Sequence, residues 1–75
     1  MMQYNLLKLR KYDRKMSQAE VAKYLGIATH TYNQKELGNR EFTQDEMFKL
    51  AELFGKPIDD IFLPRWYRNG TGGRK

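Results

Sequence analysis

The sequence predicts an all-α fold in which five short helices pack around one small core. Two segments begin with the S/T-x-x-E pattern of a capping box, at Ser17 with Glu20 and at Thr43 with Glu46, and apolar residues recur at helical spacing after each. No segment alternates apolar and polar residues as a half-buried strand does. A chain of 75 residues has room for one small domain.

The first helix is predicted from about residue 3 to residue 12, with Leu6 and either Leu9 or Leu7 facing the core. Residues 1–16 contain five basic residues and one acidic residue, and the basic residues begin at Lys8. Cations at the C-terminal end of a helix suit its negative pole. We therefore expect this end of the helix to be strongly positive.

The second and third helices are predicted at about residues 18–25 and 29–37, joined by a short turn. Gly26 lies where a chain leaving a helix often needs positive φ, which glycine adopts at the least cost. The third helix is mostly polar, and Tyr32 is its inward residue. The second helix is expected to bury Val21, Ala22 and Leu25.

The fourth helix is predicted to begin after Thr43 and to end at Gly55, and Gly38 is a candidate for left-handed φ in the loop before it. A fifth helix is predicted at about residues 58–63, after Pro57 and before Pro64. The core-facing residues of these two helices are predicted to be Met47, Leu50, Ala51, Phe54, Ile58, Ile61 and Phe62.

Charge and composition divide the chain into a domain of residues 1–63 and a basic, flexible tail of residues 64–75. The tail has four basic residues, three glycines and no apolar period, so we expect it to be mostly disordered. The stretch between the two basic ends has five basic and eight acidic residues. A mildly acidic body with basic ends indicates a polyanionic partner, although a solvated face with a sticky tail is the alternative.

Several function classes are not expected from the composition. The chain has no cysteine and one histidine, so we expect no disulfide, metal site or cofactor. The acidic residues form no plausible acid and base pair, and the sequence has no nucleophile with a base and no glycine-rich phosphate loop, so an enzyme is not expected. No apolar run is long enough to span a membrane and no signal peptide is recognisable, which indicates a cytoplasmic protein.

Three runs of residues together resemble the Cro and phage-repressor (XRE-type) helix-turn-helix family. They are S-Q-x-E-x-A-x-x-L-G at 17–26, T-Y-x-x-K-E-x-G-x-R at 31–40, and L-x-x-x-F-G with I-D-D-I-F at 50–62. The resemblance covers about residues 3–63 and implies a compact lambda-repressor-like domain whose third helix lies in the DNA major groove. The T-Y-x-x-K-E-x-G form is similar to small regulators of phages and mobile elements in Gram-positive bacteria.

The same resemblance implies which residues contact double-stranded DNA. Gln18 would contact a phosphate at the start of helix two, and the loop after helix three would hold a neighbouring phosphate. Gln34 and Asn33 can each read adenine through N6 and N7. The full set of candidates is Gln18, Thr29, His30, Thr31, Asn33, Gln34, Lys35, Asn39 and Arg40.

The third helix departs from the family pattern at its start. Ala28 occupies a slot that often holds a capping Ser or Thr, so either Thr29 caps one residue later or the helix begins frayed. Thr29 is therefore a capping or a DNA-contacting residue, and Lys35 is a phosphate-contacting or a solvated residue. The groove-facing set has no arginine, so the bidentate guanine contact is missing from this helix.

A second departure lies before helix two, where residues 10–15 form a segment one residue longer than usual. The family pairs a basic residue of this segment with Glu36, which is expected to be an internal brace. The extra residue leaves both Arg10 and Lys11 as candidates for that pairing.

The sequence therefore predicts a sequence-specific transcriptional repressor of phage or mobile-element type, acting as a homodimer on a near-palindromic operator, with no small-molecule ligand. The dimer-interface candidates are Phe62, Leu63, Trp66 and Tyr67. The alternative is a protein-interaction module such as an antitoxin or anti-repressor, whose functional surface would be this same aromatic segment.

Overall fold

The computed structural model describes residues 2–62, in which five α-helices pack around one core. No β-strand occurs within this range, so the predicted all-α fold is confirmed. A π-helical turn, Leu9–Asp13, continues the first helix directly. The helices are α1 (Tyr4–Lys8), α2 (Gln18–Leu25), α3 (Thr29–Glu36), α4 (Gln44–Phe54) and α5 (Ile58–Ile61).

Both predicted capping boxes form. At α2, the Ser17 hydroxyl accepts from the Glu20 N–H at 3.0 Å, and the Glu20 carboxylate accepts from the Ser17 N–H at 2.7 Å. At α4, Thr43 and Glu46 exchange the equivalent hydrogen bonds at 3.1 and 2.9 Å. Each pair satisfies two backbone donors that the helix itself leaves without partners, which explains why these two helices begin where the sequence predicts.

The core draws on all five helices, as the apolar spacing predicts. The choice left open in the first helix is also resolved, because Leu6 is fully buried and Leu9 packs against the core from the π-helical turn. Gly55 ends α4 in the left-handed region, with φ 65°. The core residues are Leu6, Val21, Ala22, Leu25, Tyr32, Phe42, Leu50, Phe54, Ile61 and Phe62.

Phe42 is a core residue that the sequence analysis missed. Its ring centroid lies 6.0 Å from that of Tyr32 and 5.2 Å from that of Phe62. Phe42 directly precedes the N-cap of α4, and Met47 occupies the fourth helical position, which is the spacing of a hydrophobic staple. Phe62 is only 7% exposed, which confirms its predicted place in the core, while its part in a dimer interface stays a prediction.

The first helix is shorter than predicted because its second half winds as a π-helix. The Arg14 N–H donates to the Leu9 carbonyl at 2.9 Å, a bond between residues i and i−5. A π-helical turn takes up one extra residue without breaking the helix. This turn lies within the segment noted as one residue longer than usual, and Arg10 is buried within it.

No helix within residues 2–62 combines the length and the apolar character needed to cross a membrane.

Candidate nucleic-acid interface

A tight turn joins α2 to α3. Gly26 ends α2 with φ 78°, and the Ile27 N–H reaches back to the Ala22 carbonyl at 3.0 Å. Ile27 packs against the core, which fixes the direction in which the chain leaves the turn. The left-handed residue therefore orients α3 relative to α2, as the sequence predicts.

The start of α3 has no side-chain cap. Ala28 takes the N-cap position in extended conformation, and its carbonyl accepts from the Tyr32 N–H at 3.0 Å. The helix is regular from Thr29 onward, so neither the shifted cap nor the frayed start is observed. The first-turn amides of α3 lack the side-chain acceptor that Ser17 provides at α2.

The two faces of α3 differ in chemistry. Tyr32, Lys35 and Glu36 are buried against the rest of the domain, and Tyr32 is fully inaccessible as predicted. The remaining face is polar and accessible: its members are the exposed Thr29 and His30 and the half-buried Thr31, Asn33 and Gln34.

Glu36 is the centre of a buried hydrogen-bond network. Arg10 binds its carboxylate with two nitrogens, at 2.8 Å from Nε to Oε2 and 3.1 Å from Nη2 to Oε1. The Tyr32 hydroxyl donates to Oε2 at 2.8 Å, and Gln18 Nε2 donates to Oε1 at 2.9 Å. One carboxylate thus joins the π-helical turn, the start of α2 and the end of α3.

These contacts decide the pairing that the sequence left open: Arg10, and not the exposed Lys11, binds Glu36. The predicted role of Glu36 as an internal brace is confirmed. Burial by itself would raise the pKa of Glu36, but the hydrogen bonds from Arg10, Gln18 and Tyr32 outweigh it and hold that pKa below its ordinary value. The carboxylate is therefore ionised at neutral pH and acts purely as an acceptor.

Four amide side chains continue this network along the polar surface. Asn33 Nδ2 donates to Gln18 Oε1 at 3.3 Å, and Gln34 Nε2 donates to Asn33 Oδ1 at 3.3 Å. Asn39 Nδ2, in the loop after α3, donates to Gln34 Oε1 at 3.0 Å. These bonds continue the hydrogen bond from Gln18 Nε2 to Glu36 and form one continuous series. We call its four amide residues, Gln18, Asn33, Gln34 and Asn39, the amide chain. Every one of its members is a candidate DNA contact from the sequence.

Lys35 has a different environment from either of those expected. Its side chain is 7% exposed, and Nζ lies 2.6 Å from Glu46 Oε1. Burial alone would raise the pKa of Glu46, but the hydrogen bond from Lys35 and those from Thr43 keep it below its ordinary value. Lys35 thus ties the end of α3 to the start of α4, and we remove it from the candidate DNA surface. Glu46 therefore binds Lys35 in addition to forming the capping box, and no pattern in the sequence indicated this pairing.

Two hydrogen bonds between Arg10 and Met16 close the chain segment that precedes α2. The Met16 N–H donates to the Arg10 carbonyl at 2.8 Å, and Arg10 Nη1 donates to the Met16 carbonyl at 2.8 Å. Residues 11–15, which comprise the end of the π-helical turn and the two residues after it, are all exposed and are called the basic loop below. Because Arg10 also binds Glu36, the basic loop is anchored to the base of α3. Its cations are Lys11, Arg14 and Lys15.

The loop after α3 carries the remaining candidates. Gly38 has φ 87°, which agrees with its predicted left-handed conformation, and both Asn39 and Arg40 are exposed. Leu63, Trp66 and Tyr67, together with the predicted tail and the domain boundary at residue 63, lie outside the described residues.

Comparison with known proteins places this geometry in a family. Residues 6–61, which include α2, the turn and α3, match the helix-turn-helix family. The chain belongs to that family, in its Cro and phage-repressor form. It is also similar to an uncharacterized HTH-type transcriptional regulator of Methanocaldococcus jannaschii, with 34% identity over 59 residues, which is 79% of this chain and 89% of that protein.

Proposed function

We propose that this protein is a transcriptional regulator that binds double-stranded DNA in a sequence-specific way, with α3 in the major groove. The observation that carries the proposal is that α3 has one polar, accessible face, while its other face is packed against the domain. Thr29, His30, Asn33 and Gln34 lie on that face, while the opposite face is fixed by the buried Glu36 network. A helix that presents hydrogen-bonding side chains from a rigid base suits the reading of base edges.

Phosphate contacts are proposed at three places around α3. Gln18 lies at the N-terminus of α2, and the exposed Arg40 follows α3. The basic loop adds three exposed cations next to α2. Contacts of this kind supply affinity without sequence preference, whereas Gln34 and Asn33 are proposed to supply the preference.

A salt titration of duplex binding tests this division of roles. With about four to six phosphates neutralised per subunit, log K against log salt should fall with a slope of about −0.9 per contact. Arg40→Ala should weaken binding to all sequences alike and flatten the slope by about one contact. Lys49→Ala removes an exposed cation from α4, outside the proposed surface, and serves as the matched control.

Gln34→Ala should behave differently from Arg40→Ala and from Lys49→Ala. It should lose about 1–3 kcal/mol of discrimination between base pairs at particular positions, while the salt slope is retained. The proposal is rejected when the protein has no affinity for duplex DNA at low salt, or when Arg40→Ala and Lys49→Ala change the slope equally.

We further propose that the regulator is a cytoplasmic repressor of phage or mobile-element type that acts as a homodimer on a near-palindromic operator. Two copies of α3 must enter successive major grooves about 34 Å apart, which requires a twofold interface of fixed geometry. The proposed interface is formed by Phe62, Leu63, Trp66 and Tyr67, and of these Phe62 also packs in the core.

The double variant Trp66→Ala with Tyr67→Ala tests the interface without removing the basic residues of the tail. Dimer affinity, measured by sedimentation, and operator affinity should fall in parallel, while helicity by circular dichroism stays unchanged. A dimer of unaltered affinity would move the interface to another part of the domain.

A further inference from the structure

Every hydrogen bond of the amide chain is donated in the direction of Glu36, and Glu36 sets that direction. An amide side chain can be turned by 180°, which exchanges its donor and its acceptor. The ionised Glu36 carboxylate accepts only, so Gln18 must turn its NH₂ group toward Glu36 and its oxygen toward Asn33. Asn33 must then donate to Gln18 and offer its own oxygen to Gln34.

The same constraint reaches Gln34 through Asn33, and Asn39 completes the series on the other side of Gln34. Its Nε2 donates to Asn33 Oδ1, and its Oε1 accepts from Asn39 Nδ2. Turning the Gln34 amide over would set oxygen against oxygen at Asn33, whose orientation is fixed through Gln18. Asn39 is exposed and could turn with Gln34, so it adds no repulsion of its own. One hydrogen bond would be replaced by a repulsive contact, which favours a single orientation of the amide.

Gln34 still has groups free for a base within this arrangement. Its NH₂ group has two hydrogens and its oxygen two lone pairs, and the amide chain uses one of each. A bidentate contact with adenine needs one donor toward N7 and one acceptor from N6, side by side in a fixed order.

We propose that Glu36, acting through the amide chain, fixes the order of donor and acceptor that Gln34 presents to a base pair. Gln18 is then a positioning residue for sequence preference, in addition to any contact it makes with phosphates. This inference rests on the proposed function, because it concerns how the same α3 surface discriminates between base pairs.

The test uses two substitutions of Gln18, with base preference as the readout. Gln18→Met keeps the length of the side chain but breaks both of its hydrogen bonds. Gln18→Lys keeps a donor for Glu36 but has no acceptor for Asn33, so it breaks only the chain. The control is Gln44→Met, because Gln44 is the first residue of α4 as Gln18 is of α2, and it is exposed.

The measured quantity is the ratio of affinities for the preferred operator and for operators changed at single base pairs. A loss of phosphate contact lowers both affinities and cancels in this ratio. Gln18→Met and Gln18→Lys should each reduce the ratio about five-fold at the base pair read by Gln34, which corresponds to one ordinary hydrogen bond. Gln44→Met should leave it unchanged, and in a Gln34→Ala background the Gln18 substitutions should have no further effect.

The outcomes separate this inference from the proposed function. A wild-type protein without base preference overturns the proposed function itself. A wild-type preference that survives both Gln18 substitutions overturns the inference alone. A reduced ratio in Gln18→Met that Gln18→Lys restores also overturns it, because Gln18 would then act only by supporting Glu36. Circular dichroism at the binding temperature establishes that each variant is folded.

Discussion

Replacing Arg10 with methionine removes the cation that neutralises the buried Glu36 carboxylate. The side chains of Arg10 and Glu36 are 9% and 5% exposed, so water cannot replace the lost partner. Leaving one member of a buried ion pair alone costs about 3–5 kcal/mol. A domain of this size is expected to have a total stability of about 4–11 kcal/mol, so Arg10→Met should lose a large fraction of its free energy of unfolding.

Urea denaturation followed by circular dichroism measures this loss. The matched control is Lys11→Met, because Lys11 is the neighbouring cation, is exposed, and lies 5.7 Å from the Tyr12 ring centroid. Its cost should stay below about 1 kcal/mol. Adding Glu36→Gln to Arg10→Met removes the isolated charge but keeps an oxygen acceptor, so the double variant should recover part of the stability.

Two results would refute this reasoning. The first is an Arg10→Met variant that is as stable as Lys11→Met. The second is a double variant less stable than Arg10→Met alone, since that would mean that the unpaired charge is not what destabilises the single variant.

Three further predictions concern stability. The pKa values of Glu36 and Glu46 lie below the ordinary value of 4.5, so their ionised forms stabilise the fold at neutral pH. That contribution should be lost as the pH falls below about 4.5 through their folded-state values; urea unfolding from about pH 7 to about pH 3 measures the loss, and a flat profile would contradict it. Ala28→Ser should stabilise the protein by about 1 kcal/mol by capping α3, and a thermal midpoint no higher than that of the wild type would count against the uncapped start. Gly26→Ala should destabilise it by about 1–2 kcal/mol through backbone strain alone, because an added Cβ meets nothing within 4 Å; unchanged urea unfolding would contradict the need for left-handed φ.

The local signals in the sequence predicted the helices well. The capping residues Ser17 and Thr43 and the glycines that end α2 and α4 carry their information within a few residues. A capping box or a left-handed glycine acts through neighbouring backbone groups, so it is visible without knowledge of the fold.

The π-helical turn is a partial exception. The segment before Ser17 is one residue longer than is usual in the family. The sequence did not indicate whether the extra residue would lie in a loop or in the helix. In the structure the helix continues as a π-helical turn that contains Arg10, whose partner Glu36 lies 26 positions away in the chain.

The buried pairing of Lys35 with Glu46 could not be predicted from the sequence. It depends on how α3 and the start of α4 meet, which local patterns do not encode. The order of bonds in the amide chain is similar: the sequence identified Gln18, Asn33 and Gln34 as separate contacts, whereas their connection to Glu36 required the positions of two helices.

Selection of bound fragments from random duplex DNA, carried out in parallel with the wild type and Gln34→Ala, tests the central claim most directly. The wild type should enrich a near-palindromic site whose half-sites are about 34 Å apart, one turn of the double helix. Gln34→Ala should enrich the same site with the preference lost at one base pair in each half-site, by about 1–3 kcal/mol. The absence of any enriched sequence, or an identical preference in Gln34→Ala, would contradict the claim that α3 reads the DNA.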